Sequence, residues 1–323
     1  MIKILQGNCI DKIKELDDNS IDCVVSSPPY FGLRDYGVNG QFGLEKTYHD
    51  YLANTIKVFE TFKPKLKDTA TIWWNVGDSY HNYRPTNNKQ GMYKKPDYPK
   101  QSIAGNRQDL PKHSLKRNQR YQEIKEKDLM MIPNRVAIAL QDAGWYIRSE
   151  IIWHKPNPMP ESVRDRPTSC HEKIWLITKN KKYYYDHEAI KEPAKDWGTR
   201  DRKKGSAFVD ATPGRSKQTG GKDCNFAEKG RNKRNVWTIT TKAFKDAHFA
   251  TFPKDLIEPC IKAGCPEGGV VLDPFGGSGT TGIVAALNNR NAILIELNQN
   301  YIDIANKRID KEVGLFNENI SSL

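Results

Sequence analysis

The chain has 323 residues, of which 28% are charged and 37% hydrophobic, and its 51 Lys and Arg outnumber its 39 Asp and Glu. It is too long for a disulfide-stapled mini-protein, and its apolar runs are far shorter than the roughly 20 residues that a membrane helix needs. The start of the chain turns polar too early for a signal peptide, and the six cysteines form no Cys-x-x-Cys pair, so we expect a cytoplasmic protein without disulfides or a metal site.

The predicted elements alternate between strands and helices. Short apolar runs predict strands, and apolar residues spaced three and four apart predict helices. In chain order these are a strand at 1–5, a helical turn at 11–16, a strand at 21–26, a helix at 49–66, a strand at 70–76, a helix at 133–144, and strands at 145–154 and 173–178. Then follow a helix at 253–264, a strand at 269–272, a helix at 280–287, a strand at 292–297 and a helix at 301–309. This alternation predicts an α/β fold with a doubly wound, mostly parallel sheet.

The positive charge is concentrated in two segments that lack hydrophobic periodicity. Residues 80–127 hold 12 basic and 4 acidic residues, and residues 179–234 hold 16 and 8. Tyrosines and other aromatic residues are interleaved with the basic ones, a composition that suits a polyanion carrying bases. The segments are therefore predicted to be insertions that contact nucleic acid, and charged linkers are the alternative.

A glycine-rich loop follows the strand predicted near residue 270. It comprises Asp273, Pro274, Phe275, Gly276, Gly277, Ser278, Gly279, Thr280 and Thr281. Glycines between a buried strand and a helix let the backbone approach a ligand closely, but the pattern is neither Gly-x-Gly-x-x-Gly nor a Walker loop. Glu296 ends the next predicted strand, where an acid can accept hydrogen bonds from ribose hydroxyls. A nucleoside with a compact non-phosphate tail is indicated, and S-adenosylmethionine is the candidate; a tight turn without a ligand is the alternative.

A second loop leaves the strand at 21–26 with Ser27, Pro28, Pro29 and Tyr30. Two consecutive prolines fix the backbone and leave carbonyl groups free to accept hydrogen bonds. Ser27 adds a hydroxyl and Tyr30 adds a flat ring. Alone, this tetrapeptide is more typical of a structural turn than of a catalytic site, because Pro-Pro turns after strands are common.

Together, the tetrapeptide and the glycine loop resemble the motifs of amino-group DNA methyltransferases. Because the tetrapeptide comes about 240 residues before the glycine loop, the chain is similar to the permuted (beta) class, in which the catalytic motif comes first. The resemblance covers nearly the whole chain. It implies a Rossmann-like methyltransferase fold, S-adenosylmethionine as cofactor, and duplex DNA as substrate.

The resemblance also implies a division of the chain and further cofactor contacts. It predicts a catalytic half at 1–79, a basic insertion at 80–127, a continued core at 128–178, a target-recognition segment at 179–234 and a cofactor-binding half at 235–323. The N-terminal strand is expected beside the strand that ends in Glu296. Asn8 then stands where the family commonly has an acid near the adenine of the cofactor, and Asp11 is the alternative. Phe252 is expected to pack on the methionine end.

The implied reaction explains the residue types in the tetrapeptide. A flipped-out base would stack on Tyr30, while Ser27 and the Pro28 carbonyl would hold its amino group. No strong base or covalent nucleophile is needed, so Cys9 and Cys23 are interpreted as neutral core positions. In the resemblance group, serine at the first tetrapeptide position usually accompanies the 4-amino group of cytosine and aspartate the 6-amino group of adenine.

We therefore predict a cytosine-N4 enzyme, with adenine N6 as the second choice. A catalytically silent DNA-binding protein and an RNA or protein methyltransferase are the other candidates. The sequence leaves open the recognition site, the oligomeric state and whether a cognate restriction endonuclease is a partner.

Overall fold

The structure is a computed structural model that describes residues 1–33, 38, 40–81, 123–193, 230–241 and 252–317. Most of the basic segments at 80–127 and 179–234 lies outside these described residues, whereas Phe252 lies within them. The division of the chain into five parts stays a prediction.

Eight strands within the described residues form one mixed sheet. They are β1 (Ile2–Gln6), β2 (Ile21–Ser26), β3 (Leu66–Val76), β4 (Tyr146–His154), β5 (His171–Thr178), β6 (Val236–Thr238), β7 (Val270–Asp273) and β8 (Asn291–Glu296). Their order in the sheet is β1-β8-β7-β2-β3-β5-β4-β6. The predicted neighbourhood of β1 and β8 is confirmed, since the two pair in parallel from Ile2 with Ala292 to Gln6 with Glu296.

Six α-helices cover the sheet in the described part of the chain. They are α1 (Cys9–Lys14), α2 (Tyr48–Phe62), α3 (Ile132–Asp142), α4 (Lys254–Gly264), α5 (Thr280–Leu287) and α6 (Gln299–Asn317). Apolar residues of α1, α2 and α3 pack into the core of one face, and those of α4 and α5 into the core of the other. The prediction of a doubly wound, mostly parallel sheet is confirmed.

One strand departs from the parallel arrangement. β5 runs antiparallel to both of its neighbours, β3 and β4. A parallel neighbour requires a crossover connection, usually a helix, whereas the described connection between β4 and β5 contains no helix. The chain therefore returns directly, and the first residues of β5 lie at the same edge of the sheet as the last residues of β4.

The helix predicted at 49–66 was wrong at its C-terminal end. α2 ends at Phe62, the 3-10 turn Lys63–Lys65 follows, and Leu66 already pairs with Ile21 in the sheet. Pro64 lies in that turn and has no amide hydrogen with which to continue an α-helix. β3 consequently begins four residues before the predicted strand at 70–76.

The carboxyl ends of the parallel strands meet at one edge of the sheet. The tetrapeptide follows β2, the glycine loop follows β7, and Glu296 ends β8. In open α/β sheets, ligands bind outside this edge. Among the described residues, no helix is both long and apolar enough to cross a membrane. The described residues also contain no group of three or more His, Cys, Asp or Glu arranged to hold a metal ion.

Candidate active site

A cavity of about 590 Å³ lies at the carboxyl edge of the sheet. Many of the residues that line it come from the loops after β1, β2, β7 and β8, and others come from β3, from β5, from the segment after β4 and from the segment before α4. Those predicted from the sequence are Asn8, Ser27, Pro28, Pro29, Tyr30, Phe252, Asp273, Pro274, Phe275, Gly276, Gly277, Ser278, Thr280 and Glu296. The fold thus brings the tetrapeptide and the glycine loop, far apart in sequence, to the walls of one cavity.

Three predicted site residues do not line this cavity. The Asp11 side chain is 72% exposed on α1, where its Oδ1 lies 4.0 Å from the Lys14 ammonium. Gly279 is the N-cap of α5 with a φ of 81°, and Thr281 donates its hydroxyl to Asp273. This placement gives no support to the interpretation of Asp11 as a cofactor contact. Gly279 and Thr281 shape the glycine loop without lining the cavity.

Asn8 has a structural partner as well as a place in the cavity wall. Its side-chain oxygen caps α1 by accepting a hydrogen bond from the Ile10 amide at 2.9 Å. An N-cap asparagine stabilises a helix start by satisfying an otherwise unpaired amide. A contact of Asn8 with the cofactor stays a prediction, and the capping bond leaves the Nδ2 group as its donor.

Asp273 is the polar centre of the glycine loop. Its carboxylate accepts hydrogen bonds from the hydroxyls of Ser26 and Thr281, both at 2.6 Å, and from the amide of Phe275 at 3.1 Å. Burial raises the pKa of this carboxyl to about 6, although the three hydrogen bonds favour the charged form. At neutral pH the ionised Asp273 therefore fixes the start of the loop.

Glu296 faces the same loop from the end of β8. One carboxylate oxygen accepts from the Gly277 amide at 2.9 Å and the other from the Asn298 amide at 2.8 Å. Burial raises the pKa of this carboxyl, and the backbone hydrogen bonds oppose the shift. Since each carboxylate oxygen can accept two hydrogen bonds, Glu296 retains acceptor capacity for hydroxyl groups of a ligand.

Gly276 and Gly277 are required for different reasons. A Cβ on Gly276 would lie 2.9 Å from the Cβ of Leu294, so a side chain has no room there. Gly277 has a φ of 50°, and a Cβ built on it meets only the Phe275 carbonyl, at 3.9 Å. The backbone of Gly277 therefore borders open space in the cavity wall, which suits close approach of a ligand to the main chain.

The tetrapeptide forms the opposite wall. Ser27 donates its hydroxyl to the Tyr30 hydroxyl at 3.1 Å, and Tyr30 donates to a carboxylate oxygen of Glu172 at 2.6 Å. The Tyr30 ring rests on Gly77, where a Cβ would lie 2.5 Å from Cε2 of the ring. Burial and the neighbouring Glu172 raise the pKa of Tyr30 well above its usual value. Tyr30 therefore stays protonated. Gly77 holds the edge of its ring, and Ser27 and Glu172 hold its hydroxyl.

Several residues of the site were missed by sequence reasoning. Asn75, Lys155 and Glu172 line the cavity from β3, from the end of β4 and from β5. Arg308 on α6 donates to the Ser278 carbonyl and hydroxyl, both at 2.7 Å, and to the Thr280 hydroxyl at 3.0 Å. Each is a single polar residue within a strand or helix, without a local motif. Only the pairing of the strands and the packing of α6 reveal them.

The two cysteines nearest the catalytic loop are neutral thiols. Burial raises the pKa of Cys9 to about 12 and that of Cys23 well above its usual value. Cys9 lies in the cavity wall and Cys23 is fully buried in β2. Because the thiolate is the nucleophilic form, neither is activated for covalent chemistry. The burial of both side chains agrees with their interpretation as core positions.

Comparison with known proteins places the chain among enzymes that modify DNA. The sequence profile of a family described as DNA methylase (N6/N4 methyltransferases) matches residues 21–307. The chain is 42% identical to the type II methyltransferase M.Cfr9I of Citrobacter freundii, over 96% of this chain and 88% of that protein. It is also 42% identical to the type II methyltransferase M.SmaI of Serratia marcescens, over 95% of this chain and 90% of that protein.

Solved structures share the fold at low sequence identity. PvuII DNA methyltransferase (cytosine-N4-specific) superimposes with a TM-score of 0.60 at 17% identity and covers 94% of this chain and 84% of its own. The complex of M1.HpyAVI with SAM superimposes with a TM-score of 0.53 at 17% identity and covers 96% of this chain and 100% of its own. At these identities, the two superpositions show a shared fold, which includes the sheet that carries the cavity of this chain.

Proposed function

The chain belongs to the DNA methylase family of N6/N4 methyltransferases, and from that premise we propose that it methylates the 4-amino group of a cytosine flipped out of duplex DNA. The observation that carries the proposal is that one cavity is walled by the Ser27–Tyr30 tetrapeptide, by the glycine loop and by Glu296. An amino group and a nucleoside cofactor can therefore be held face to face.

S-adenosylmethionine is the cofactor, and the residues of the glycine-loop wall fit it. Glu296 has acceptor capacity for two ribose hydroxyls, and the open space at Gly277 admits a ligand against the main chain. Phe252 offers an apolar surface beside this wall, and Asn8 presents its side-chain NH2 group as a hydrogen-bond donor. When bound, the cofactor supplies an electrophilic methyl group attached to a positively charged sulfur.

The tetrapeptide would act by positioning the amino group. An exocyclic amine is a poor nucleophile because its lone pair is delocalised into the base. Hydrogen bonds from its two protons to the Ser27 oxygen and the Pro28 carbonyl favour a pyramidal nitrogen, whose lone pair turns out of the ring plane. Correct orientation of the reacting groups then contributes most of the rate. The methylated amine is acidic and releases its proton without a strong base.

Cytosine is favoured over adenine because Ser27 begins the tetrapeptide. In this family, serine at that position usually accompanies N4 methylation of cytosine. A hydroxyl oxygen accepts equally well from the amine of adenine, so N6 methylation is the alternative reaction for the same site. The fold neighbour PvuII DNA methyltransferase is described as cytosine-N4-specific, which agrees with this choice.

We assign duplex DNA contacts to the basic segments at 80–127 and 179–234, most of which lies outside the described residues. The relatives M.Cfr9I and M.SmaI are named type II methyltransferases. We therefore propose methylation at a defined DNA sequence, with a cognate restriction endonuclease as the cellular counterpart of the enzyme.

Transfer of a labelled methyl group tests the proposal. Purified protein is incubated with labelled S-adenosylmethionine and either duplex DNA or RNA, and incorporation is measured. Incorporation into duplex DNA alone is expected, and Ser27→Ala or Tyr30→Ala should abolish it while cofactor binding, measured by calorimetry, persists. Full activity in both variants would refute the role of the tetrapeptide, and labelling of RNA but not DNA would refute the substrate.

A further inference from the structure

A chain of hydrogen bonds runs from the tetrapeptide to a carboxylate on β5. Ser27 donates to Tyr30 at 3.1 Å, and Tyr30 donates to Oε2 of Glu172 at 2.6 Å. The side-chain oxygen of Asn75 also lies 3.1 Å from the Tyr30 hydroxyl, and the amide of Asn75 is turned to the Lys173 carbonyl. The Tyr30 hydroxyl thus faces two groups that present oxygen acceptors.

The carboxylate gives this chain a direction. An ionised carboxylate only accepts hydrogen bonds, and a tyrosine hydroxyl has a single proton to donate. That proton is directed to Glu172 or shared with Asn75, so towards Ser27 the Tyr30 oxygen can only accept. The Ser27 proton is consequently committed to Tyr30. The lone pairs of the Ser27 oxygen then remain for a donor in the cavity.

We propose that Glu172 is a positioning residue that sets the Ser27 hydroxyl as an acceptor for the amino group of the target base. The proposal rests on the proposed function, which places that amine against Ser27. An amine that must lose a proton needs an acceptor at this point, and a Ser27 proton pointing into the cavity would instead meet the nitrogen lone pair. In this proposal Glu172 acts on the amino group through the Tyr30 hydroxyl, to which its Oε2 is hydrogen-bonded.

The surroundings of Glu172 hold its carboxylate in this role. Its second oxygen, Oε1, forms an ion pair with Lys155, and the two side chains are only 16% and 18% exposed. Lys155 also lies over the Trp153 ring, 4.3 Å from its centre. Trp153 of β4 pairs directly with Glu172 of β5, so the strand pairing places Trp153, Lys155 and Glu172 close together. The ion pair occupies Oε1 and leaves Oε2 for Tyr30.

An isosteric substitution tests the direction of the chain. Glu172→Gln keeps the size of the side chain but allows its NH2 group to donate to Tyr30, so the chain can reverse. We expect kcat for methyl transfer to fall about 10- to 100-fold, with the Kd for S-adenosylmethionine unchanged. Tyr30→Phe removes the connecting hydroxyl but keeps the ring, and a decrease in kcat of similar size is expected.

The double variant separates positioning from a general structural effect. If Glu172 acts through the Tyr30 hydroxyl, Glu172→Gln should lower kcat by at most about 2-fold further in the Tyr30→Phe background. Glu150→Gln is the matched control, because Glu150 on β4 also pairs with a lysine of β5, Lys173, at 2.5 Å but does not line the cavity. It should leave kcat within about 2-fold of the parent enzyme.

Two results would overturn the proposal. One is a fully active Glu172→Gln enzyme. The other is a Glu172→Gln effect of the same size with and without the Tyr30 hydroxyl, which would mean that Glu172 acts by another route such as its pair with Lys155. Thermal unfolding of each variant identifies losses of activity that are caused by misfolding. If Glu172→Gln misfolds, the same comparison is made with Glu172→Asp in the parent enzyme and in the Tyr30→Phe background. Failure of the proposed function is distinct, since the parent enzyme would then transfer no methyl group to DNA.

Discussion

The Ser26 hydroxyl donates a hydrogen bond to the Asp273 carboxylate at 2.6 Å, although the two residues are 247 positions apart in the sequence. Ser26 is the last residue of β2 and Asp273 the last residue of β7, and these strands pair in parallel. Both residues are only 1% exposed. This buried contact connects the strand that ends at the tetrapeptide with the strand that ends at the glycine loop.

Ser26→Ala should destabilise the protein more than Ser27→Ala. Removing Ser26 takes one hydrogen bond from a buried carboxylate that is charged at neutral pH, a loss of about 1.5 to 3 kcal/mol. Ser27 donates to a neutral, half-buried hydroxyl, and its loss should cost about 1 kcal/mol or less. Urea unfolding at pH 7.5 measures both. Equal destabilisation by the two substitutions would contradict the structural role assigned to Ser26. An active Ser27→Ala enzyme would contradict the catalytic role assigned to Ser27.

Asp273 should make stability depend on pH in a defined direction. Its pKa rises from 3.8 to about 6 on folding, so the folded protein holds this proton more tightly than the unfolded chain. The associated stabilisation is fully present below pH 4 and is lost as the pH rises to about 6, a change of about 3 kcal/mol. Asp273→Asn does not titrate, and the difference in unfolding free energy between the two proteins isolates the effect.

The comparison is made by urea unfolding at intervals between pH 4.5 and 7.5. The wild-type protein should lose stability relative to Asp273→Asn as the pH rises to about 6 and then remain level. If the hydrogen bonds from Ser26, Thr281 and Phe275 outweighed burial, the folded pKa would be lowered instead. The unfolding free energy of the wild-type protein relative to Asp273→Asn would then not fall between pH 4.5 and 7.5. That result would contradict a raised pKa of Asp273 in the folded protein.

Gly277→Ala should weaken cofactor binding without unfolding the protein. A Cβ at this position meets no atom closer than 3.9 Å, so the cost in stability is the strain of a positive φ, about 1 to 2 kcal/mol. Gly144 is the matched control because it also has a positive φ with nothing within 4 Å of a Cβ, yet it lies outside the cavity lining.

Both glycine variants should lose similar amounts of stability in thermal unfolding. Only Gly277→Ala should raise the Kd for S-adenosylmethionine in calorimetry, by about 10-fold or more, since its methyl group would stand where the ligand meets the main chain. Unchanged binding by Gly277→Ala would mean that the cofactor does not approach this part of the loop.

Gly77→Ala should disturb the catalytic wall through Tyr30. The new methyl group would overlap the ring, 2.5 Å from Cε2, so the ring must move away from its hydrogen-bond partners. We expect kcat to fall about 10- to 100-fold with cofactor affinity retained. Stability measurements provide the control: the cost of Gly77→Ala should largely vanish in a Tyr30→Ala background, where the ring is absent. A cost independent of Tyr30 would contradict this packing.

The parts of the fold with a local signal could be predicted from the sequence. The bounds of β2 and α5 match the predictions at 21–26 and 280–287, because a continuous apolar run and a helix start after glycine are local features. β6, with three residues, is too short to give such a signal. The reversed direction of β5 depends on how the chain returns after β4, which periodicity does not encode.

The candidate site was predictable where its residues form motifs. The tetrapeptide, the glycine loop and Glu296 were found from their spacing, and the sheet brings them to one cavity. Gly77, Asn75, Glu172 and Arg308 were missed because each acts as a single residue through a partner far along the chain. Asp11 was named for its proximity in sequence to Asn8, yet it does not line the cavity, and its contact with the cofactor stays a prediction.

The most direct test of the central claim is the identity of the methylated nucleoside. DNA from cells that express the protein, and from cells that express Ser27→Ala, is digested to nucleosides and analysed by mass spectrometry. N4-methylcytosine is expected with the parent enzyme and should be absent with the variant. N6-methyladenine as the sole new product would contradict the assignment of cytosine, and no new methylated nucleoside would contradict DNA methylation itself.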